Sequence, residues 1–335
     1  MSAEKIIGDW KKQRFKPIYW LEGEEEYYID RLMRYAEHEI LTEAEAGFNL
    51  TVFYGRDADW AAVINACRRY PMFAERQVVL LKEAQQMRDI DKLEAYVDKP
   101  LSSTIFVVSY KEKKLDGRSR LSKLLKEKDK AEVFTTKKLY ENQLPEWTRE
   151  LVTSKGYTIS QKALLLLVDH IGNDLSRIDN EIDKLLVNLG KRDNITEDDI
   201  ERYVGISKEY NVFELQDAFS RKDMTKAIRI IQYFEGNPKA GPIQLILPSL
   251  YNFFSKAYMI FGQGGQDEKS IAAGIGVNPY FVKDYIATAR NYGYEGVENA
   301  LLLLHEYNLR SIGINSVATE DASLLKEMAV KMIAV

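Results

Sequence analysis

The chain has 335 residues, 45% of them hydrophobic and 29% charged, with a formal net charge of −4. That length suggests two or three domains with real cores, and that charge excludes a protein that binds nucleic acid through overall basicity, leaving only a local patch for such contact. A single cysteine, Cys67, excludes an intrachain disulfide and a cysteine-rich zinc site, which fits the cytoplasm, and no apolar run is long enough for a signal peptide or a membrane span.

The first part of the chain alternates short apolar runs with amphipathic segments. "PIYWLEG" (17–23), "NLTVFYG" (49–55), "QVVLLKE" (77–83), "TIFVVSY" (104–110) and "AEVFTT" (131–136) read as strands. Helical patterns such as "EEEYYIDRLMRYAEHEIL" and "DWAAVINACRRY" lie between them, so a mainly parallel sheet built from βαβ units is expected. After about residue 138 strand signals stop, and "ISQKALLLLVDHIG", "DLSRIDNEIDKLLVNLG" and "TEDDIERYVG" read as three short helices. Thr196 followed by Asp199 has the form of a capping box, and Gly172 and Gly190 stand where helix C-caps fall. From about 211 the chain is helical throughout. The expected architecture is an α/β domain over 1–138, a small helical lid over 139–210 and an all-α bundle over 211–335.

An α/β domain followed by a helical lid suggests an AAA+ nucleotide-binding module, whose phosphate loop would follow the first strand. The segment there is "LEGEEEYYIDRL": Gly23 is present, but Glu24, Glu25 and Glu26 follow and no Lys-Ser or Lys-Thr does. Carboxylates at a helix start satisfy the helix dipole and repel a polyphosphate. A glycine-rich run at "GQGGQDEKS" (262–270) ends in Lys269-Ser270, yet Gln263 and Glu268 hold the positions that need glycine, and the run follows a helix. No acid pair ends "VVLLKEA" or "IFVVSY", so magnesium coordination is not expected. His38, His170 and His305 share no motif, Cys67 has no nearby His, and no hydrolase or zinc-protease motif occurs. No catalytic constellation, cofactor or metal site is read.

Two further stretches carry candidate nucleic-acid contacts. "KEKKLDGRSRLSKLLKEKDK" (111–130) holds Lys111, Lys113, Lys114, Arg118, Arg120, Lys123, Lys126, Lys128 and Lys130 against four acids. It reads as a solvated helix face of mixed charge or, functionally, as a contact to the DNA backbone through Lys113, Lys114, Arg118, Arg120 and Lys123. No aromatic interrupts it, so stacking on single-stranded bases there is not expected. "SIAAGIGVNPYFVKDYIATAR" (270–290) imitates a helix-turn-helix through Ala272, Gly276 and Val282, but its second helix offers only Lys283, Asp284 and Tyr285 near its start. Packing within the helical bundle is the expected role.

The stretch "RRYPMFAERQVVLLKEA" (68–84) sets Met72 and Phe73 on a turn before a strand, where polar residues are usual. Over nearly its whole length the chain resembles the delta subunit of the bacterial DNA polymerase III clamp loader. The resemblance lies in "PIYWLEGEEEYYIDRL", "YPMFAERQVVLLKEA", "TIFVVSY", "LPEWTRELVTSKGYTISQKALLLLVDHIGNDLSRIDNEIDKLLV", "ITEDDIERYV" and "NVFELQDAFSRKDMTKAIRII", in that order and spacing. It implies a AAA+-like fold that has lost ATP binding, no intrinsic catalysis within the polymerase holoenzyme, and a C-terminal helical collar that joins other loader subunits into a pentamer acting on DNA. It also implies that the chain opens the ring-shaped sliding clamp, the beta subunit, through apolar residues just before the third strand. Here these are Met72 and Phe73, held out by Pro71, with Met72 standing where Leu is common. A degenerate AAA+-like ATPase and a helix-turn-helix DNA-binding protein are the alternatives.

Overall fold

The computed structural model describes residues 2–334 except 128–129, 208, 239, 265–266 and 315–319. The chain divides into two compact units, Met1–Leu139 and Tyr140–Val335.

The first unit runs α1 (Ala3–Lys11), β1 (Ile18–Gly23), α2 (Glu26–His38), α3 (Glu43–Asn49), β2 (Leu50–Tyr54), α4 (Trp60–Cys67), β3 (Gln77–Lys82), α5 (Glu94–Val97), β4 (Thr104–Lys111), α6 (Arg120–Leu125) and β5 (Ala131–Thr136). All five strands expected from the sequence form, within a residue or so of their expected ends. They make one parallel sheet in the order β2-β3-β4-β1-β5, with Leu50 opposite Val78, Val79 opposite Phe106, and Trp20 between Val108 and Val133.

The continuous apolar runs follow from burial on both faces. Ile18, Trp20, Val79, Leu81, Phe106 and Val108 point to the face covered by α4, α5 and α6. Tyr19, Leu21, Val78, Leu80, Ile105 and Val107 point to the other face, against α1 and α2, where the Trp10 ring meets Tyr19 edge-on at 4.9 Å. Period-two alternation thus sorts each strand between two cores.

The second unit runs α7 (Leu144–Ser154), β6 (Thr158–Ile159), α8 (Gln161–Ile171), α9 (Leu175–Asn188), β7 (Asn194–Ile195), α10 (Glu197–Asp199), α11 (Val212–Ser220), α12 (Met224–Gly236), α13 (Ile243–Met259), α14 (Glu268–Gly274), α15 (Val282–Ser311) and α16 (Asp321–Ala334). Here one sequence expectation is corrected: β6 and β7 pair in parallel, Thr158 with Asn194 and Ile159 with Ile195, so strands do occur after residue 138. Two residues are too short to carry a period. Gly172 caps α8 with φ 72°, Gly190 follows α9 with φ 65°, and Asp199 accepts the Thr196 N–H at 2.9 Å and takes both Arg192 guanidinium nitrogens. Helices α11, α12, α13, α15 and α16 share one core, in which Phe254 meets Phe219 and Tyr292 edge-on. Gly293, at φ 68°, breaks α15 in its middle. No described helix is long and apolar enough to cross a membrane.

Candidate functional site

The N-terminal edge of the sheet is where Met72 and Phe73 stand. Helix α4 ends at Cys67, and its open carbonyls need partners. Gln77, the first residue of β3, supplies them. Its buried carboxamide nitrogen lies 3.1 Å from the Ala66 oxygen, 2.6 Å from that of Arg69 and 2.8 Å from the Thr104 hydroxyl, and that hydroxyl donates to the Cys67 carbonyl at 2.8 Å. The Arg69 guanidinium reaches the Thr51 hydroxyl at 2.9 Å. The chain therefore leaves α4 in a fixed direction.

The following turn is held from α3. Thr42 caps that helix reciprocally with Glu45, and its last residue, Asn49, is buried with 3% exposure. The Asn49 amide donates to the carbonyls of Met72, at 2.9 Å, and Glu45, at 3.0 Å. Its oxygen accepts the Met72 N–H at 2.7 Å. The Met72 main chain is satisfied, but the side chains of the turn are not covered: Met72 is 52% exposed, Phe73 94% and Tyr70 79%, and Phe48, beside Asn49, is exposed too. Phe73 takes φ 54°, in the left-handed region that costs a bulky residue on the order of 1–2 kcal/mol. Strain of that kind persists only where surrounding contacts impose it. Pro71 is half-buried.

Cys67 is fully buried and burial pushes its thiol up, against a smaller opposite pull from Arg69, so it is inert.

The opposite edge carries the connection where a phosphate loop would lie. It is only Glu24 and Glu25 long. Gly23 has φ 128°, and a Cβ there would come 2.2 Å from the Thr136 carbonyl oxygen. The Glu25 N–H donates to the Thr136 hydroxyl at 3.1 Å, and the Glu25 carboxylate caps α2 by accepting the Tyr27 N–H at 3.2 Å. Glu22, buried, accepts from the Trp20 indole at 3.2 Å and from the Leu115 N–H at 3.1 Å. Beside them Lys111 contacts Asp30 at 2.8 Å, Glu83 at 3.1 Å and Glu26 at 3.2 Å. Burial alone would lower the Lys111 ammonium, but its hydrogen bonds and attraction to Asp30 and Glu83 prevail and raise it.

That placement corrects the reading of Lys111 as part of a basic surface run. It ends β4 and is buried among carboxylates because apolar Val107 and Val108 carry the strand through to it. The rest of the run is not one helix. Lys113 and Lys114 lie on an exposed loop, Lys113 over the Tyr110 ring at 5.7 Å. Arg118 is held by Asp116 at 3.0 Å, and Arg120 lies 3.7 Å from Glu94. Lys123 is exposed on α6, and Lys128 lies outside the described residues.

The helix-turn-helix imitation packs inward. Tyr285 meets Phe253 at 4.8 Å and is pushed up to about 12 by burial, then by Asp284 and Asp169. The Asp284 carbonyl accepts from Ser220 and Thr288, and its carboxyl is raised by burial and then by Asp217. Only Lys283 of the three candidate readers is exposed. In the glycine-rich run, 265–266 lie outside the described residues, and Asp267 caps α14 by accepting the Ser270 N–H at 2.8 Å. His38 and His305 are exposed, and His170 is lowered by burial and then by Arg177. No cluster suited to a metal occurs among the described residues.

Sequence reasoning missed Asn49, Gln77 and Thr104, since their partners lie 8 to 37 residues away.

The fold is that of an α/β protein with a five-stranded parallel sheet joined to a mainly helical second unit. A family model for DNA polymerase III, delta subunit, matches residues 19–137, and a model for its C-terminal domain matches residues 209–317. The chain is 26% identical over 331 residues to DNA polymerase III subunit delta of Bacillus subtilis (strain 168), covering 95% of this chain and 93% of that protein. It is 22% identical over 280 residues to a probable DNA polymerase III subunit delta of Aquifex aeolicus (strain VF5), covering 79% and 77%. The solved structure of a Bacillus subtilis DNA clamp loader delta protein superposes with a TM-score of 0.57 at 25% identity, over 99% of this chain and 100% of that one. The chain belongs to the family of delta subunits of the DNA polymerase III clamp loader, and so to DNA replication.

Proposed function

We propose that this chain binds and opens the sliding clamp for loading onto primed DNA, in the cytoplasm, without binding or hydrolysing ATP itself. The observation that carries the reading is the Met72–Phe73 pair, apolar and exposed on a turn whose Met72 main chain is clasped at both its N–H and its C=O by Asn49. Apolar anchors of this kind fill a partner's pocket and dominate binding energy.

In this reading 1–138 is the clamp-binding α/β domain, 139–210 the small lid and 211–335 the collar that joins the other loader subunits. Helix α13 supports the last assignment: Leu245, Pro248, Tyr251 and Met259 are exposed along it, and Lys256 is its one charged residue. Lys113, Lys114, Arg118, Arg120 and Lys123 would neutralise DNA phosphates within the assembled loader, with Arg118 giving up its pair with Asp116 to do so. The test is a titration of the organism's sliding clamp with the full chain and with its Met72→Ala, Phe73→Ala double variant. Saturable binding by the first and its loss in the second supports the reading; no binding by the full chain, or equal binding by both, overturns it.

A further inference from the structure

The Asn49 side chain is buried at the α3–β2 junction, yet two of its three hydrogen bonds leave its own element for the main chain of Met72. One amide thus meets both the N–H and the C=O of a single residue, as a neighbouring strand would. The assignment of its oxygen and nitrogen is fixed by these partners: the nitrogen faces two carbonyls and the oxygen faces an N–H. Both donors and the acceptor are used. Asp would set a carboxylate oxygen against two carbonyls, Leu would leave both Met72 groups unpaired, and Gln would displace the amide by a methylene.

The junction itself is anchored. Leu50, the next residue, pairs with Val78 in the sheet, so Asn49 ties the turn to a rigid reference. The Met72 main chain cannot rotate without losing both bonds. Its direction sets where Met72 and Phe73 project, and Phe73 keeps a left-handed conformation in the same turn. An untethered apolar pair in water would sample many directions, and ordering it on binding would subtract from affinity.

We infer that Asn49 is a positioning residue of the Met72–Phe73 anchor. By clasping the Met72 main chain it fixes the pair before the partner arrives, and affinity for the partner depends on it although it is too buried to touch that partner. The inference rests on the clamp-binding reading above. A role confined to α3 would need only the bond to the Glu45 carbonyl, which stays within that helix.

The experiment uses the full chain, its Asn49→Ala and Asn49→Asp variants and the Met72→Ala, Phe73→Ala double variant. Each is titrated with the sliding clamp, and amide hydrogen exchange is followed at Met72 and across β2 and β3. The two lost hydrogen bonds should lower the affinity of Asn49→Ala roughly five- to thirtyfold, and Asn49→Asp by at least as much. The Met72 amide, slow to exchange in the wild type, should exchange as an open loop in both, while residues 78–81 stay protected. Affinity of Asn49→Ala within twofold of wild type, while the double variant loses binding, overturns the inference and leaves the clamp reading standing. Unchanged protection of Met72, or loss of protection throughout β2 and β3, also overturns it. Wild-type binding by the double variant removes the clamp reading itself.

Discussion

At the C-terminal edge of the sheet the β1–α2 connection has the Glu25 main chain and the flanking charges of Glu22 and Lys111 paired inside the domain, whereas at the N-terminal edge the α4–β3 connection has its Met72 main chain clasped and leaves its apolar side chains in water. Glu22, Glu25 and Lys111 all have partners within the domain, and Thr136 fills the space above Gly23. Across the sheet, Gln77, Thr104 and Asn49 satisfy the carbonyls of α4 and the Met72 main chain, while Met72 and Phe73 face outward. A connection with an ordered main chain and uncovered apolar groups gains from a partner, because burying them costs little further ordering.

The largest effect should come from removing the open side of that contrast. Met72→Ala with Phe73→Ala should weaken clamp binding roughly 30- to 1,000-fold, the loss of a buried aromatic anchor at an interface. Because both side chains are exposed, thermal melting should stay within about 2 °C of wild type, whereas core residues would destabilise the fold by about 3–5 kcal/mol. A large fall in melting temperature, or affinity within threefold of wild type, would break the comparison at this edge.

The closed edge responds in stability. Gly23→Ala forces a Cβ against the Thr136 carbonyl at a φ that L-residues avoid, and should cost roughly 2–4 kcal/mol in denaturant unfolding. A cost under about 0.5 kcal/mol would mean that the β1–α2 connection has room to move, and so room for a phosphate.

These two edges were unequally legible in the sequence. The closed edge could be read because its signal is local: a glycine, three glutamates and the missing Lys-Ser within one short stretch. Likewise the five long strands announced themselves as unbroken apolar runs, since both faces are covered. Met72 and Phe73 were conspicuous on a turn, but what holds them was not. Asn49 looks like any helix-ending polar residue until its partner, 23 residues on, is brought beside it. Lys111 was drawn into a basic run by its neighbours in sequence, although its neighbours in space are carboxylates from α2 and the end of β3. The Gly293 break in α15 hid within a helical pattern that continues on either side of it, and the β6–β7 pair was too short to register.

A smaller effect sharpens the closed edge further. Glu25→Ala removes the side-chain cap of α2 and should cost about 1 kcal/mol. Millimolar ATP with magnesium should leave the melting temperature of the wild type unchanged. A ligand held with micromolar affinity would add about 4 kcal/mol at a thousandfold excess, a shift that melting could not miss. A reproducible rise with ATP would show that the carboxylates at this edge yield to a polyphosphate.

The smallest effect uses Cys67 as a reporter beneath the open edge. Its thiol is fully buried and burial pushes it away from the thiolate, so a thiol reagent at pH 8 should label it only when the end of α4 opens. Met72→Ala with Phe73→Ala should leave the labelling rate unchanged, since side chains that face solvent do not cover the thiol. Gln77→Ala removes the carboxamide that ties the Ala66 and Arg69 carbonyls to β3, and should speed labelling roughly fivefold, the equivalent of about one hydrogen bond in a local opening equilibrium. If the wild type is labelled within seconds, the main chain at this edge is not held as the hydrogen bonds require. In that case the anchor pair would pay its ordering cost on binding after all, and the two edges would differ in chemistry but not in order.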